Sequence, residues 1–243
     1  NIAQGFSLLS ESIVNGYMYD GNASNIATLG HRRWILNPQM QKTGFGFTQN
    51  NYSAMYTYDN LNAAYNETYA VVPWPAQNMP EEFFSTSYPF SLSLSRDFNE
   101  LSRKGITVKM VRESDQKVWK FNSSSSSNPK SQGYFNVDNN GFGQPRCIIW
   151  RPAGIEHYNG GDSYSIQVSG VKKNGQDYPI SYKVTFFNTM TYGLKTDHTL
   201  LTCEKNAENK FEVLGPSSSK ASNVPHITKY SLTSDELIPG DEN

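Results

Sequence analysis

The sequence has no long apolar run, few cysteines and almost no net charge. Its apolar stretches fall short of the about 20 residues that a membrane-spanning helix needs, so we expect no membrane span. Its 21 basic and 22 acidic residues nearly cancel to a net charge of −1, so no overall field attracts nucleic acid. The chain also lacks a nucleophile elbow, a phosphate loop, a His-Glu-x-x-His helix and a dinucleotide fingerprint. These absences argue against the enzyme classes that such motifs identify.

Only two cysteines are present, Cys147 and Cys203. They could form a disulfide that ties the C-terminal segment to the preceding strands, or they could be two buried free thiols. Neither fits the spacing of a metal site, and we expect neither to have a nearby histidine that would activate it. The sequence leaves both alternatives open.

The first 36 residues show the periodicity of helices. Five apolar residues recur at steps of three and four, the spacing of one helix face: Ile2, Phe6, Leu9, Ile13 and Tyr17. We therefore predict helices over residues 1–36, interrupted by a loop at residues 20–24. Beyond them, Pro73 and Pro75 flank Trp74 and stiffen the chain, so they indicate a connector and a domain boundary near residue 80.

From Tyr88 onward the pattern changes to the alternation of half-buried strands, as over residues 90–94 and 106–110. Turn signals such as Asn139-Asn140-Gly141 separate the runs. This spacing predicts an antiparallel, immunoglobulin-like β-sandwich over residues 81–192, followed by a terminal hairpin and flexible tail over residues 193–243. Abundant Tyr, Asn, Ser and Thr with little Lys and Glu is a composition common in extracellular β-rich proteins.

One stretch, residues 30–38, carries the most distinctive motif. It reads Gly-His-Arg-Arg-Trp-Ile-Leu-Asn-Pro and contains one of only four histidines. Asn1-Ile2-Ala3 and a helical segment to Tyr19 precede it, and Gly44-Phe45-Gly46 follows. In this order and spacing, the elements resemble the bacterial form of the CAP superfamily of cysteine-rich secretory proteins, antigen 5 and pathogenesis-related proteins. The resemblance covers about residues 1–72.

The resemblance implies a fold class and a set of site residues. The fold class would be α+β, with the C-terminal part of a CAP-like αβα sandwich over residues 1–80, followed by the antiparallel immunoglobulin-like β-sandwich. The family has a tetrad of two histidines and two acidic residues that can hold a metal ion. His31 matches one of these histidines, and Asp20 falls where the second glutamate sits. The other two positions would lie before Asn1.

His31 and Asp20 are therefore the leading candidate site residues. A carboxylate close to an imidazole makes the ring more basic, and the two can share a divalent cation such as zinc if further ligands join them. The alternative is a purely structural role, in which His31 only hydrogen-bonds to backbone groups at the start of a helix. Arg32 and Arg33 could contact an anion, although neighbouring arginines on a helix point in different directions, so we expect one of them to pair internally.

The preferred function is a non-enzymatic binding module, secreted or associated with the bacterial cell wall, with a lipid, metal, glycan or protein ligand. Resemblance alone implies this class. One alternative is a metal-dependent hydrolase or protease that uses the cleft around His31, and another is a purely structural surface protein. We expect extracellular partners, such as a cell-wall glycan, a lipid or a protein, and no nucleic acid. The sequence does not determine the oligomeric state.

Overall fold

The computed structural model describes residues 1–59, 71–131 and 133–189, together with the backbone of three short strands further on. It divides into two compact units, Asn1–Phe186 and Phe187–Asn243. In chain order the strands are β1 (Ile2–Gln4), β2 (Phe45–Phe47), β3 (Tyr52–Met55), β4 (Val71–Trp74), β5 (Asn78–Pro80), β6 (Phe90–Leu94), β7 (Thr107–Arg112), β8 (Val118–Phe121), β9 (Tyr134–Asp138), β10 (Arg146–Arg151), β11 (Ser163–Ser169), β12 (Lys172–Lys173), β13 (Gln176–Asp177), β14 (Ile180–Phe187), β15 (Cys203–Lys205), β16 (Phe211–Val213) and β17 (Tyr230–Leu232).

The predicted fold class, a partial CAP-like αβα sandwich followed by an immunoglobulin-like β-sandwich, is wrong. The protein is mostly β, with 36% strand and 11% helix, and it is built from several antiparallel sheets. The helical segments of the described ranges are short: α1 (Leu9–Glu11) continued by a π-helix (Ser12–Met18), α2 (Gly30–Ile35), and a 3₁₀ turn (Glu81–Phe83). An αβα sandwich needs helical layers on both faces of a sheet, and helices of this length do not supply them.

The predicted N-terminal helix begins late because strand pairing occupies its first residues. The strands β1, β3 and β2 form a three-stranded antiparallel sheet in that order. Gly5, with a φ of +95°, ends β1, and its N–H donates to Asn51 O at 3.0 Å. Ile2 is therefore in a strand and pairs with Ala54, whereas the helix starts at Leu9. Local helical periodicity gave way here to pairing with residues 50 positions away.

Two larger sheets form the body of the first unit. One has the order β4-β6-β10-β9 and the other has the order β5-β14-β11-β7-β8. Registers such as Ile148 opposite Leu92 and Ile166 opposite Met110 are antiparallel. Both sheets contribute to one hydrophobic core, which includes Phe90, Leu92, Leu94, Ile148 and Trp150 from the first sheet and Val108, Met110, Tyr164, Ile166, Val184 and Phe186 from the second.

The Pro73-Trp74-Pro75 segment is more than a connector. Its first two residues close β4, which lies at the edge of its sheet and pairs with β6. An edge strand tolerates Pro73 because one side of it has no neighbour that needs the missing N–H. The boundary near residue 80 stays a prediction, as do the ranges 81–192 and 193–243. Within the last range the structure describes only β15, β16 and β17, which form a three-stranded sheet.

Strand β6 is buried on both of its faces. Ser91 and Ser93, which alternate with its core residues, are 1% and 3% exposed. Residues 20–36 cover this second face, so the N-terminal segment and the four-stranded sheet β4-β6-β10-β9 share an interface. No helix in the described ranges is both long and apolar enough to cross a membrane.

Candidate functional site

Asp20 and His31 are in direct contact. Asp20 Oδ1 lies 2.9 Å from His31 Nδ1, and Asp20 Oδ2 accepts hydrogen bonds from the backbone N–H of His31 at 2.9 Å and of Arg32 at 3.3 Å. An ionised carboxylate can only accept, so Nδ1 donates this hydrogen bond, and in the neutral form of the ring Nε2 carries the lone pair. Asp20 is completely buried, whereas the His31 side chain is 31% exposed. The pair therefore holds an oriented imidazole at the surface.

The geometry makes Asp20 an orienting group for His31. Both of its carboxylate oxygens accept N–H groups, and its oxygen nearest the ring faces Nδ1. Among the described residues, no hydrogen bond involves Nε2, and no group of three or more His, Cys, Asp or Glu side chains is arranged to hold a metal ion. If a metal ion bound here, His31 would hold it through Nε2.

Packing around His31 fixes the plane of its ring. The Tyr17 ring stacks on the imidazole, with 5.8 Å between centroids and 27° between planes. Tyr17 is fully buried, and its hydroxyl forms a 2.9 Å hydrogen bond with Ser53 Oγ on β3. Asn1 Nδ2 donates to the backbone oxygen of His31 at 2.9 Å. The sheet β1-β3-β2 therefore holds His31 in place through the hydrogen bond between Ser53 and Tyr17.

The backbone at both ends of this contact is left-handed. Asp20 has a φ of 44°, and Leu29, directly before α2, has a φ of 50°. Aspartate tolerates this region, but a leucine there needs compensation from its surroundings. Leu29 is fully buried in a small hydrophobic cluster with Ile26 and with Tyr134, Cys147 and Ile149 of the four-stranded sheet. This packing holds the loop in the conformation that brings Asp20 to His31.

Arg32 is turned inward and anchors the loop. Its guanidinium donates to Met18 O at 2.7 Å, to Tyr19 O at 2.5 Å and to Pro89 O at 2.7 Å. The side chain is fully buried, and burial lowers its pKa to about 10, although the charge of Asp20 acts to raise it. Arg32 therefore remains charged at neutral pH but does not reach an anion in solvent.

Arg33 is buried as well, on the other side of the loop. It donates to Asp138 Oδ2 at 2.5 Å and to three backbone carbonyls, of Thr28, Asn140 and Gln144, at 2.5 to 2.9 Å. The ring of Phe142 lies 5.1 Å from the guanidinium carbon. Both arginines predicted as anion contacts thus hold the loop that carries His31 against the four-stranded sheet. Sequence could not show this, because most of their acceptors are distant in the chain.

Cys147 is fully buried on β10 and has no disulfide partner among the described residues. Ser93 Oγ approaches its Sγ at 3.8 Å, and burial raises the pKa of the thiol. The side chain of Cys203 lies outside the described residues, so a bridge between the two cysteines stays a prediction.

A row of exposed tyrosines was not recognised as a site from the sequence. Along β3 and its extension, residues alternate strictly between exposed and buried from Tyr52 to Asp59. Tyr52, Tyr56 and Tyr58 are 45%, 58% and 71% exposed, and Ile2, opposite Ala54, is 71% exposed on the same face. We call these four residues the tyrosine face. The signal that could have revealed it was the recurrence of tyrosine at steps of four and two, at positions 52, 56 and 58, which places all three on one face of a strand.

The tyrosine face continues beyond β3 in an ordered way. The Tyr56 N–H donates to Gly44 O at 3.0 Å, and Thr43 Oγ1 donates to Tyr56 O at 2.7 Å, so the chain stays attached to the neighbouring segment. The Tyr58 ring lies 5.3 Å from that of Trp34 in α2. The row is therefore anchored to the helix that carries His31. No protein-family model matches the chain, and no curated protein matches it significantly.

Proposed function

We propose that this chain is a non-enzymatic binding module, secreted or associated with the bacterial cell wall, and that it binds a glycan through the tyrosine face. The observation that supports this proposal most is the row of three exposed tyrosines, Tyr52, Tyr56 and Tyr58, on one face of an extended segment, with Ala54 between the first two. Alternate residues of a strand are about 6.6–7 Å apart, so one such step separates Tyr56 from Tyr58 and two steps separate Tyr52 from Tyr56. The row therefore offers a linear series of flat rings. A linear polysaccharide has the matching shape.

Tyrosine suits such a ligand chemically. Its ring provides an apolar face for the C–H side of a sugar, and its hydroxyl can hydrogen-bond to a neighbouring hydroxyl group. The strand and its cross-links hold the backbone of the row in place, so little conformational freedom is lost on binding. The resemblance of residues 1–72 to the CAP superfamily is a separate support for an extracellular location, and the composition agrees with it.

The experiment is a retention assay on purified bacterial peptidoglycan, followed by calorimetry with a soluble N-acetylglucosamine hexamer. We expect the wild-type chain to be retained and the double variant Tyr56→Ala/Tyr58→Ala to bind about tenfold more weakly or worse, as truncation of central aromatic contacts does. Tyr178→Ala is the matched control, because Tyr178 is 42% exposed but belongs to another part of the surface, where it packs on Phe98.

Two results would contradict the glycan proposal. One is retention that the double variant leaves unchanged, and the other is an equal loss in Tyr178→Ala. A wild-type chain that is not retained on either probe would favour the alternative of a purely structural surface protein.

The oriented His31 favours a second candidate, the metal-dependent hydrolase. Its buried Asp20 partner is the arrangement that sets the tautomer of a general base or of a metal-binding imidazole. The test is cleavage of an unfolded protein substrate with added zinc, comparing His31→Ala with His157→Ala, an exposed histidine in a loop. Zinc-dependent cleavage lost only in His31→Ala would establish the hydrolase. We expect none, and we expect zinc to bind no better than at roughly tens of micromolar.

A further inference from the structure

A small cavity opens at the end of β10, and it shares no residue with the His31 contact or the tyrosine face. Its volume is about 250 Å³, and its lining consists of Thr86, Ser87, Arg151, Pro152, Gly154 and Ile155. Sites for drug-sized ligands usually have about 300–1,000 Å³, so this cavity fits a molecule closer in size to one sugar or one amino acid.

Arg151 brings a positive charge to this cavity, and its hydrogen bonds to described residues do not neutralise that charge. Its guanidinium donates to the backbone oxygens of Pro129 at 2.7 Å, Ser131 at 3.0 Å and Ser87 at 3.4 Å. These acceptors carry no formal charge. Arginine has five N–H donors, and these bonds use three of them. The side chain is thus held in place from one side while it retains donors and its full charge.

A second cation stands at the rim of the cavity. Lys117 Nζ donates to Gly154 O at 2.9 Å and lies 5.0 Å from the ring centroid of Trp119. The nearest acid along its own turn, Asp115, is already bound by both Nε and Nη2 of Arg112. Two cations held by neutral groups therefore flank one small opening.

We propose that this cavity binds the carboxylate of a small ligand. Arg151 would supply the charge-assisted hydrogen bond, Lys117 would add to the attraction at the rim, and the hydroxyls of Thr86 and Ser87 would meet polar groups of the ligand. Pro152 and Ile155 give the carbon skeleton an apolar wall. A uronic acid and an N-acylated amino acid share this chemistry and this size. The site does not depend on the glycan proposal, because it uses other residues.

The test is titration of the isotopically labelled full chain by NMR, following the amides of Gly154 and Ile155. The probes are glucuronate and N-acetylalanine, each against its uncharged counterpart, glucose and N-acetylalanine amide. We expect at least one carboxylate to give saturable shifts with a Kd in the millimolar range or tighter, and its counterpart to give none. Which carboxylate binds distinguishes a sugar from an amino-acid ligand.

Three variants separate the site from the fold. Arg151→Gln should weaken binding about tenfold or more, because a hydrogen bond to a charged group is lost. Ser87→Phe should abolish binding by filling the cavity. The variant keeps the backbone carbonyl of residue 87 that accepts a hydrogen bond from Arg151, so it tests the site even if Arg151→Gln does not fold. Lys172→Gln, at a lysine that is 55% exposed elsewhere, should change nothing.

The proposal would be overturned by either of two results. One is that neither carboxylate produces saturable shifts at Gly154 and Ile155. The other is that Ser87→Phe binds the carboxylate as well as the wild type does.

Discussion

Replacing Asp138 with asparagine should be among the most damaging single changes of a charged residue in this protein. Asp138 is 7% exposed and faces Arg33, whose side chain is fully buried, at 2.5 Å between Oδ2 and Nη1. The substitution keeps the volume and shape of the side chain but removes its charge. The other acceptors of Arg33 are neutral backbone carbonyls. Asp138→Asn therefore leaves a buried cation without its counterion.

The magnitude follows from this burial. Removing one partner of a buried ion pair costs about 3–5 kcal/mol, because the remaining charge has lost both water and its counterion. Domains of this kind have a free energy of unfolding of about 5–15 kcal/mol, so the loss is a large fraction of the total. The matched control is Asp177→Asn, which breaks the exposed pair of Lys172 and Asp177 at 3.9 Å. An exposed pair is worth about 0–1 kcal/mol.

Urea denaturation followed by tryptophan fluorescence and circular dichroism measures both variants. A loss of about 4 kcal/mol, at an m value of about 2 kcal/mol/M, lowers the midpoint by about 2 M. Replacing both partners with apolar residues, in Arg33→Met/Asp138→Leu, should restore part of the stability that Asp138→Asn loses. The reasoning is refuted if Asp138→Asn unfolds at the same midpoint as Asp177→Asn.

Three further outcomes are expected. Gly170→Ala should destabilise the protein far more than Gly175→Ala, although both positions have φ near +80°, because a Cβ at Gly170 would clash with Gly105 O whereas Gly175 faces open space. Equal midpoints of urea unfolding would contradict this. Burial raises the pKa of Tyr164 to about 12, so the stability that its neutral form contributes is complete below about pH 10 and is lost as pH rises to about 12. Unfolding midpoints that do not fall across this pH range would contradict the expectation. Cys147 should resist alkylation in the native protein and react after denaturation, because its thiol is buried with a raised pKa; fast native labelling would count against the structure.

Alternation along the sequence located two strands of the sheets, although one of them, β6, is buried on both faces. The patterns over residues 90–94 and 106–110 predicted strands, and β6 and β7 lie there. The helical period from Ile2 did not hold, because Gly5 turns the chain and β3 supplies hydrogen-bonding partners for residues 2–4. The predicted fold class depended on this helical periodicity and on a family resemblance. It was wrong because the residues predicted to form the first turn of the helix form a strand instead.

The candidate site was predictable only in its residue types. Asp20 and His31 were singled out by motif, and the structure places them 2.9 Å apart. The roles of Arg32 and Arg33 were not accessible, since Pro89 and Asp138 are 57 and 105 residues away in the chain. The Arg151 cavity was equally hidden, because its lining comes from two separate stretches that only the pairing of β6 and β10 brings together.

The long span between Arg33 and Asp138 has a consequence for the order of events in folding. Their contact closes a loop of 105 residues, and closing a long loop costs chain entropy that must be paid before the contact contributes. Contacts of such separation slow folding and form late in chains dominated by sheet pairing. The loop that carries His31 can therefore take its final shape only after the four-stranded sheet has formed. A probe on His31 would then report the completion of the whole first unit, and its signal should lag behind that of the core tryptophan, Trp150.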